Sequence, residues 1–298
     1  DVAPHISRRS LAIVPERLKM SLISQILNLV LAEQIKSGDL LFLRDKSVGI
    51  CVDDIDLQFQ VSGNDKLQAL PMSKPNVIFS ANVPELLFGL WAAQAVGIAA
   101  PINPFLESKH IAGIAKAANA KILVTLAPSE QGGEELWQKA MSVMEAVSEV
   151  EHIVTIGEHK GEQVITWREA TAQQPSDKLN FERHISGSEI ASYFHTGGTT
   201  GAPNLAQHTH RAQVLNVCQM TLTGPRYISD NQFYERDVIL CGLPLFHVNA
   251  CFISGLNAML GAGELVLAGP QGFRNKQLIT DFWRLIERHS VTFIAAVP

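Results

Sequence analysis

Thr196, Gly197, Gly198, Thr199, Thr200, Gly201, Ala202 and Pro203 form a run in which no side chain can fill a core. The run offers backbone N–H groups, adjacent hydroxyls at Thr199 and Thr200, and glycines that reach positive φ or let a ligand approach closely. Those are the parts of a phosphate cradle. Composition alone favours a plain turn. A Walker-type loop is excluded, because Gly201 leads into Ala202-Pro203-Asn204 and not into the Lys and Ser/Thr that open a helix in that motif.

His247 is the second candidate. It lies in Gly242-Leu243-Pro244-Leu245-Phe246-His247-Val248-Asn249, between a strand-like run and a helical one. In open α/β sheets, ligands bind beyond the carboxyl ends of strands, which is where this loop falls. The other histidines of this half, His195, His208 and His210, have no Cys, Asp or Glu close by, and zinc-type spacing is absent. A metal site from this set is not expected. No Gly-x-Ser-x-Gly elbow supports serine-hydrolase chemistry. The acidic cluster Asp53, Asp54, Asp56 reads as a solvated strand or turn.

The elements that must position these residues alternate from residue 76 onward. Strands are expected at 77–81, 98–102, 121–125 and 152–156, with helices at 84–96, 107–118 and 134–146 between them. Asn82-Val83-Pro84-Glu85 reads as a helix start, with Asn82 as its N-cap, and Gly97 as the stop. Phe88 and Trp91 fall at helical spacing and read as core. Residues 157–187 are polar and read as a surface connection with one small element near 164–167. Strands at 190–195 and 205–209 then flank the Gly/Thr run, and a helix follows at 210–222. A loop between two strands gains less from a helix dipole than one that opens a helix. A second block gives strands at 237–241, 264–268 and 291–296, with helices at 250–260 and 276–289. Strand–helix alternation with short links implies parallel βαβ units and an α/β doubly wound fold. The expected organisation is an unassigned region over 1–75, a first α/β subdomain over 76–187, and a second over 188–298 that carries the phosphate loop. Within 1–75, only a helix at 15–34 and strands at 40–43 and 51–61 are suggested.

Composition narrows the partners. The 298 residues carry 46% hydrophobic and 18% charged residues and a net charge of -5, which gives no reason to expect nucleic acid. No stretch reaches the ~20 apolar residues of a membrane span. Cys51, Cys218, Cys241 and Cys251 show no CxxC spacing and read as buried free thiols of a reducing, cytoplasmic compartment.

Taken together, three segments resemble the AMP-forming acyl-CoA synthetases, the adenylate-forming family of acyl- and aryl-CoA ligases. Thr196-Gly197-Gly198-Thr199-Thr200-Gly201-Ala202-Pro203 is similar to that family's phosphate loop. Leu243-Pro244-Leu245-Phe246-His247 is similar to its later Pro-Leu-Phe-His segment. Asn82-Val83-Pro84-Glu85, with Gly97 and Pro101-Ile102-Asn103-Pro104, is similar to an upstream segment. The likeness covers residues 76–298. His195-Thr196-Gly197-Gly198 and Gln207-His208-Thr209-His210-Arg211 resemble the fatty or aromatic acid branch.

The resemblance implies two stacked, mostly parallel sheets of the large N-terminal domain. It also implies ATP-dependent activation of a carboxylic acid to an acyl-adenylate, then transfer to CoA. It places ATP on Thr196, Gly197, Gly198, Thr199, Thr200, Gly201, Pro203 and Asn204, with Mg²⁺ near the Thr199 and Thr200 hydroxyls. His247 becomes the catalytic candidate, bordering an acyl pocket with Val248 and Asn249. Two departures stand out: the family's lysine at the end of the loop is Asn204 here, and the glycine after it is Leu205. The family's later motifs, including its magnesium glutamate, ribose aspartate and catalytic lysine, are not found. The expectation is an N-terminal portion that does not complete adenylation alone. The alternative is a non-catalytic nucleotide-binding or interaction module derived from that family.

Overall fold

Short apolar strands, most of them followed by a helix, organise the chain into two sheets. A computed structural model describes residues 12–13, 75–171, 185–196, 204–223, 238–260 and 264–297. The suggested helix at 15–34, the strands at 40–43 and 51–61, the acidic cluster, Cys51 and residues 197–203 lie outside them.

The larger sheet has seven strands: β2 (Pro75–Ile78), β3 (Ile98–Pro101), β4 (Ile122–Leu126), β5 (His152–Ile156), β6 (Val164–Thr166), β7 (Ile190–His195) and β8 (Leu205–Thr209). Their order is β6-β5-β4-β2-β3-β7-β8, parallel throughout except for the antiparallel β7–β8 pair at one edge. The smaller sheet has the order β1-β10-β9-β11, built from β1 (Ala12–Ile13), β9 (Val238–Cys241), β10 (Glu264–Leu267) and β11 (Phe293–Ile294). Within it β10, β9 and β11 run parallel and β1 is antiparallel.

The crossovers are α1 (Pro84–Val96), α2 (Ser108–Ala117), α3 (Gly133–Ala146), α4 (Trp167–Thr171), α5 (His210–Thr223), α6 (Asn257–Leu260), α7 (Lys276–Thr280) and α8 (Phe282–His289). Helix α1 is apolar on all sides, which marks a helix covered on every face. Leu86, Leu87, Leu90, Trp91 and Ala95 are all buried. It packs on β2 and β3, and Leu87 touches the backbone of Gly255 in the segment after β9. One hydrophobic core therefore takes residues from both sheets, including Ile78, Leu123 and Ile153 from one and Ile239 and Leu265 from the other. Trp91 lies in that core and Phe88 packs against it.

Three local expectations change. The N-cap of α1 is Val83, which makes no side-chain capping bond, and not Asn82. The Asn82 amide is engaged elsewhere, as described below. The helix expected at 250–260 begins instead as a π-helix, Asn249–Leu256, and becomes α-helical only at Asn257. The helix expected at 276–289 breaks at Asp281, whose carboxylate accepts from Gln277 Nε2 at 2.7 Å while its backbone leaves helical geometry. Cys241 and Cys251 are free, buried thiols. Burial pushes the Cys241 thiol up to about 12 and raises the Cys251 thiol well above its ordinary range, so neither is a thiolate nucleophile at neutral pH.

Candidate functional site

The carboxyl ends of β2, β3 and β7 from the larger sheet meet those of β9 and β10 from the smaller one. The meeting is made by side chains that sequence spacing does not connect. Asn82, just beyond β2, donates through Nδ2 to Leu243 O at 3.0 Å and accepts at Oδ1 from Leu245 N–H at 3.0 Å. Its own backbone N–H donates to Pro270 O, beyond β10, at 3.2 Å. Asn103, beyond β3, donates its backbone N–H to His195 Nε2 at 3.1 Å. His195 closes β7, and its ring stacks on Phe246 at 6.4 Å between centroids with 24° between planes. Phe246 packs in turn against His247 at 4.5 Å.

Two glycines let the loops after β9 and β10 close on each other. The Gly242 carbonyl accepts from Phe273 N–H at 2.9 Å, and the Phe273 ring lies against the Gly242 α-carbon. Gly272 has φ of +53°, and a β-carbon there would meet the Gly242 carbonyl oxygen at 2.1 Å. Neither position accepts a side chain, and the second also needs the left-handed region.

His247 hangs from this frame. Its N–H donates to Pro244 O at 3.0 Å, and its carbonyl accepts from Cys251 N–H at 3.1 Å. Its imidazole and Val248 are exposed, while Asn249 is half-buried. The buried Asn249 Oδ1 finds no hydrogen-bond partner among the described residues. Partial desolvation, then the Arg274 guanidinium, lowers the His247 pKa below its ordinary value. Desolvation, then His247, does the same for His195. Both rings are neutral at pH 7, so each presents one N–H donor and one lone pair. In His195 the lone pair on Nε2 is taken by Asn103, which puts its proton on Nδ1.

The Gly/Thr run enters through its stems alone. Thr196 and Asn204 are both exposed, and Thr196 N–H donates to Asn204 O at 3.0 Å. With His195 opposite Leu205 in register, the stem is the end of an antiparallel hairpin. Gly197, Gly198, Thr199, Thr200, Gly201 and Pro203 lie outside the described residues. His208 and His210 do not share a strand: the first belongs to β8, and the second opens α5. His208 packs edge-on against Phe194 and Phe252. Among the described residues, no group of three or more His, Cys, Asp or Glu could hold a metal ion. No helix there is long and apolar enough to cross a membrane.

Sequence reasoning placed His247 in a ligand loop but missed Asn82 and Asn103 as the residues that join the loops. The Asn-Pro pair at 103–104 was the one available signal, and it carried no indication of a partner 92 residues away.

The AMP-binding enzyme family profile matches residues 73–298. The chain belongs to the AMP-binding enzyme family. It is 48% identical over 217 residues to the marinolic acid–CoA ligase of Pseudoalteromonas sp. (strain SANK 73390), covering 73% of this chain and 32% of that one. A 4-coumarate–CoA ligase of Humulus lupulus is 30% identical over 259 residues, covering 82% and 42% of the two chains. The long-chain-fatty-acid–CoA ligase of Thermus thermophilus is 30% identical over 196 residues, covering 66% and 32%. This AMP-binding family member thus spans about a third to two fifths of the length of those relatives. Its fold matches a point-mutant form of coronafacic acid ligase from Pectobacterium brasiliense with a TM-score of 0.62 at 15% identity, covering 90% and 49%. It also matches an anthranilate CoA ligase solved with anthranoyl-AMP, TM-score 0.59 at 18% identity, covering 91% and 43%. The α/β fold with its mostly parallel sheets corresponds to part of those ligases.

Proposed function

We propose that this chain supplies the phosphate loop and one wall of the acid pocket to an enzyme that activates a fatty or aryl carboxylic acid. In the first half-reaction the carboxylate oxygen attacks the α-phosphorus of ATP, and pyrophosphate leaves as the acyl-adenylate forms. In the second, the CoA thiol attacks the acyl carbonyl and AMP leaves.

The observation that carries this reading is the convergence of the His195 stem and the His247 loop at the carboxyl ends of both sheets, joined through Phe246. Attack of one anion on another needs charges held apart and atoms held in line. The hairpin stem at Thr196 and Asn204 stands at the same edge that bears His195, and the Gly/Thr run joins its two strands in sequence. Backbone N–H groups of Gly197, Gly198 and Gly201 and the hydroxyls of Thr199 and Thr200 are assigned to the β,γ-phosphates and their Mg²⁺. Thr196, Pro203 and Asn204 frame them. A divalent cation held with the nucleotide would supply charge neutralisation there. Neutral His247 donates an N–H to the acid's carboxylate without forming an ion pair that would blunt its nucleophilicity. Val248 and Asn249 continue that wall.

The test is ATP–pyrophosphate exchange by the enzyme to which this chain contributes its loop and wall, against a panel of fatty and aryl acids, with His247→Ala beside it. Acid-dependent exchange that falls in the variant supports the reading. A second reading, a nucleotide-binding module without catalysis, is favoured by Asn204, which removes a positive charge from the end of the loop. Nucleotide binding with no exchange for any acid would select it.

A further inference from the structure

We propose that Asn82 is a positioning residue for His247: its side-chain amide acts as a short strand partner for the Leu243–Leu245 backbone and so fixes where the imidazole stands. The proposal rests on reading His247 as part of the acid site.

The amide bonds a carbonyl and the N–H two residues further on, Leu243 O and Leu245 N, which is what a neighbouring β-strand would do. Asn82 is 7% exposed, so both bonds are shielded from water. No other described side chain reaches both of those backbone groups. The next residues are then fixed in turn: Leu245 O accepts from Cys251 Sγ at 2.6 Å, and His247 N–H donates to Pro244 O at 3.0 Å. Asn82 belongs to the larger sheet and the segment it holds belongs to the smaller one. Its backbone N–H also ties in Pro270, in the loop that carries Gly272 and Arg274. One residue thus sets the His247 loop against both the larger sheet and the β10 loop. His195 and Arg274 are the titratable and charged groups that reach the imidazole, and both stand on segments that this clip aligns.

Buried partners left behind make truncation costly: Asn82→Ala strands the Leu245 N–H and leaves the Leu243 carbonyl with only the weak Cys241 Sγ donor at 3.8 Å. Asn82→Asp keeps shape and the Leu245 bond but sets an acceptor against the Leu243 carbonyl. The control is Val143→Ala on α3, a fully buried loss of two methyl groups remote from the site. Each protein is assayed three ways: thermal unfolding, affinity for decanoate and 4-coumarate, and NMR titration of the His247 imidazole.

The expected result is that Asn82→Ala weakens acid binding by about tenfold or more, equivalent to ~1.4 kcal/mol. Its His247 titration also moves, while Val143→Ala loses stability with wild-type affinity and titration. Wild-type affinity and titration in Asn82→Ala overturn the proposal, as does a control that shows the same losses. Should Asn82→Ala fail to fold, Asn82→Asp is read by the same two measurements. Failure of the wild-type protein to bind either acid counts against the proposed function, and the imidazole titration then still decides the clip.

Discussion

The His247 loop and the hairpin that bears the Gly/Thr run stand at the same end of the molecule but are held in different ways. The first is fixed by buried bonds between segments more than 160 residues apart, by two glycines in backbone contact, and by a buried thiol. The second stands at a sheet edge: β7 pairs with β3 on its inner side, β8 is the edge strand, and the described stem closes on one backbone bond between two exposed residues. The difference separates two kinds of site wall. One is set by the core and cannot move without disturbing both sheets. The other ends an edge hairpin whose stem is exposed.

The sharpest way to break this contrast is Gly272→Ala. The new β-carbon would meet the Gly242 carbonyl oxygen at 2.1 Å, at a residue whose φ is +53°. A loss of roughly 3 kcal/mol or more is expected, the scale of overpacking combined with a left-handed backbone. Gly132→Ala supplies the comparison: its φ is +77° but nothing lies within 4 Å of the added carbon. Denaturant unfolding should show the first change far outweighing the second, and equal losses would mean that the Gly242–Gly272 contact is unimportant.

Asn204→Lys tests the wall at the sheet edge. It restores a cation where the stem is exposed, and should tighten ATP binding by up to about tenfold, or ~1.4 kcal/mol, with stability unchanged. Calorimetric titration with ATP measures it, weakening as salt rises. Unchanged affinity would show that the stem does not face phosphates.

The smallest effect concerns pH. Burial lowers the pKa values of His195 and His247 from 6.5. Their unfolded forms therefore bind more protons than the folded ones as pH drops below that value. Stability from these two rings is present above the unfolded pKa and lost as pH falls toward the folded values. The melting temperature should drop from roughly pH 6.5 downward, the ordinary histidine range. His195→Gln with His247→Gln should flatten that slope, and an unaltered slope would place the titration elsewhere.

The sequence made much of the sheet legible because its strands are short, apolar and regularly spaced. The bounds of β5, β7 and β8 fell at 152–156, 190–195 and 205–209 as expected from composition. His247 was legible as a ligand-loop residue because a strand-to-helix connection always lies at a strand end. Asn82 was misread because Asn-x-Pro-Glu is a helix-start pattern, while its true partners lie 161 and 163 residues away. The π-helix at Asn249–Leu256 was unreadable for a related reason: apolar spacing registers a helix but does not distinguish the width of its turn. The fixed lone pair of His195 depends on a bond from Asn103 that no local pattern encodes.

The antiparallel return of β8 has a consequence for how such a protein diversifies. In a parallel unit, changing a loop's length shifts the helix that must recross the sheet. Here the chain turns straight back beside β7, so residues can be added, removed or exchanged between Thr196 and Asn204 while every recrossing helix keeps its seat. Transplanting a relative's loop between those two positions should change nucleotide handling without refitting the remainder of the molecule.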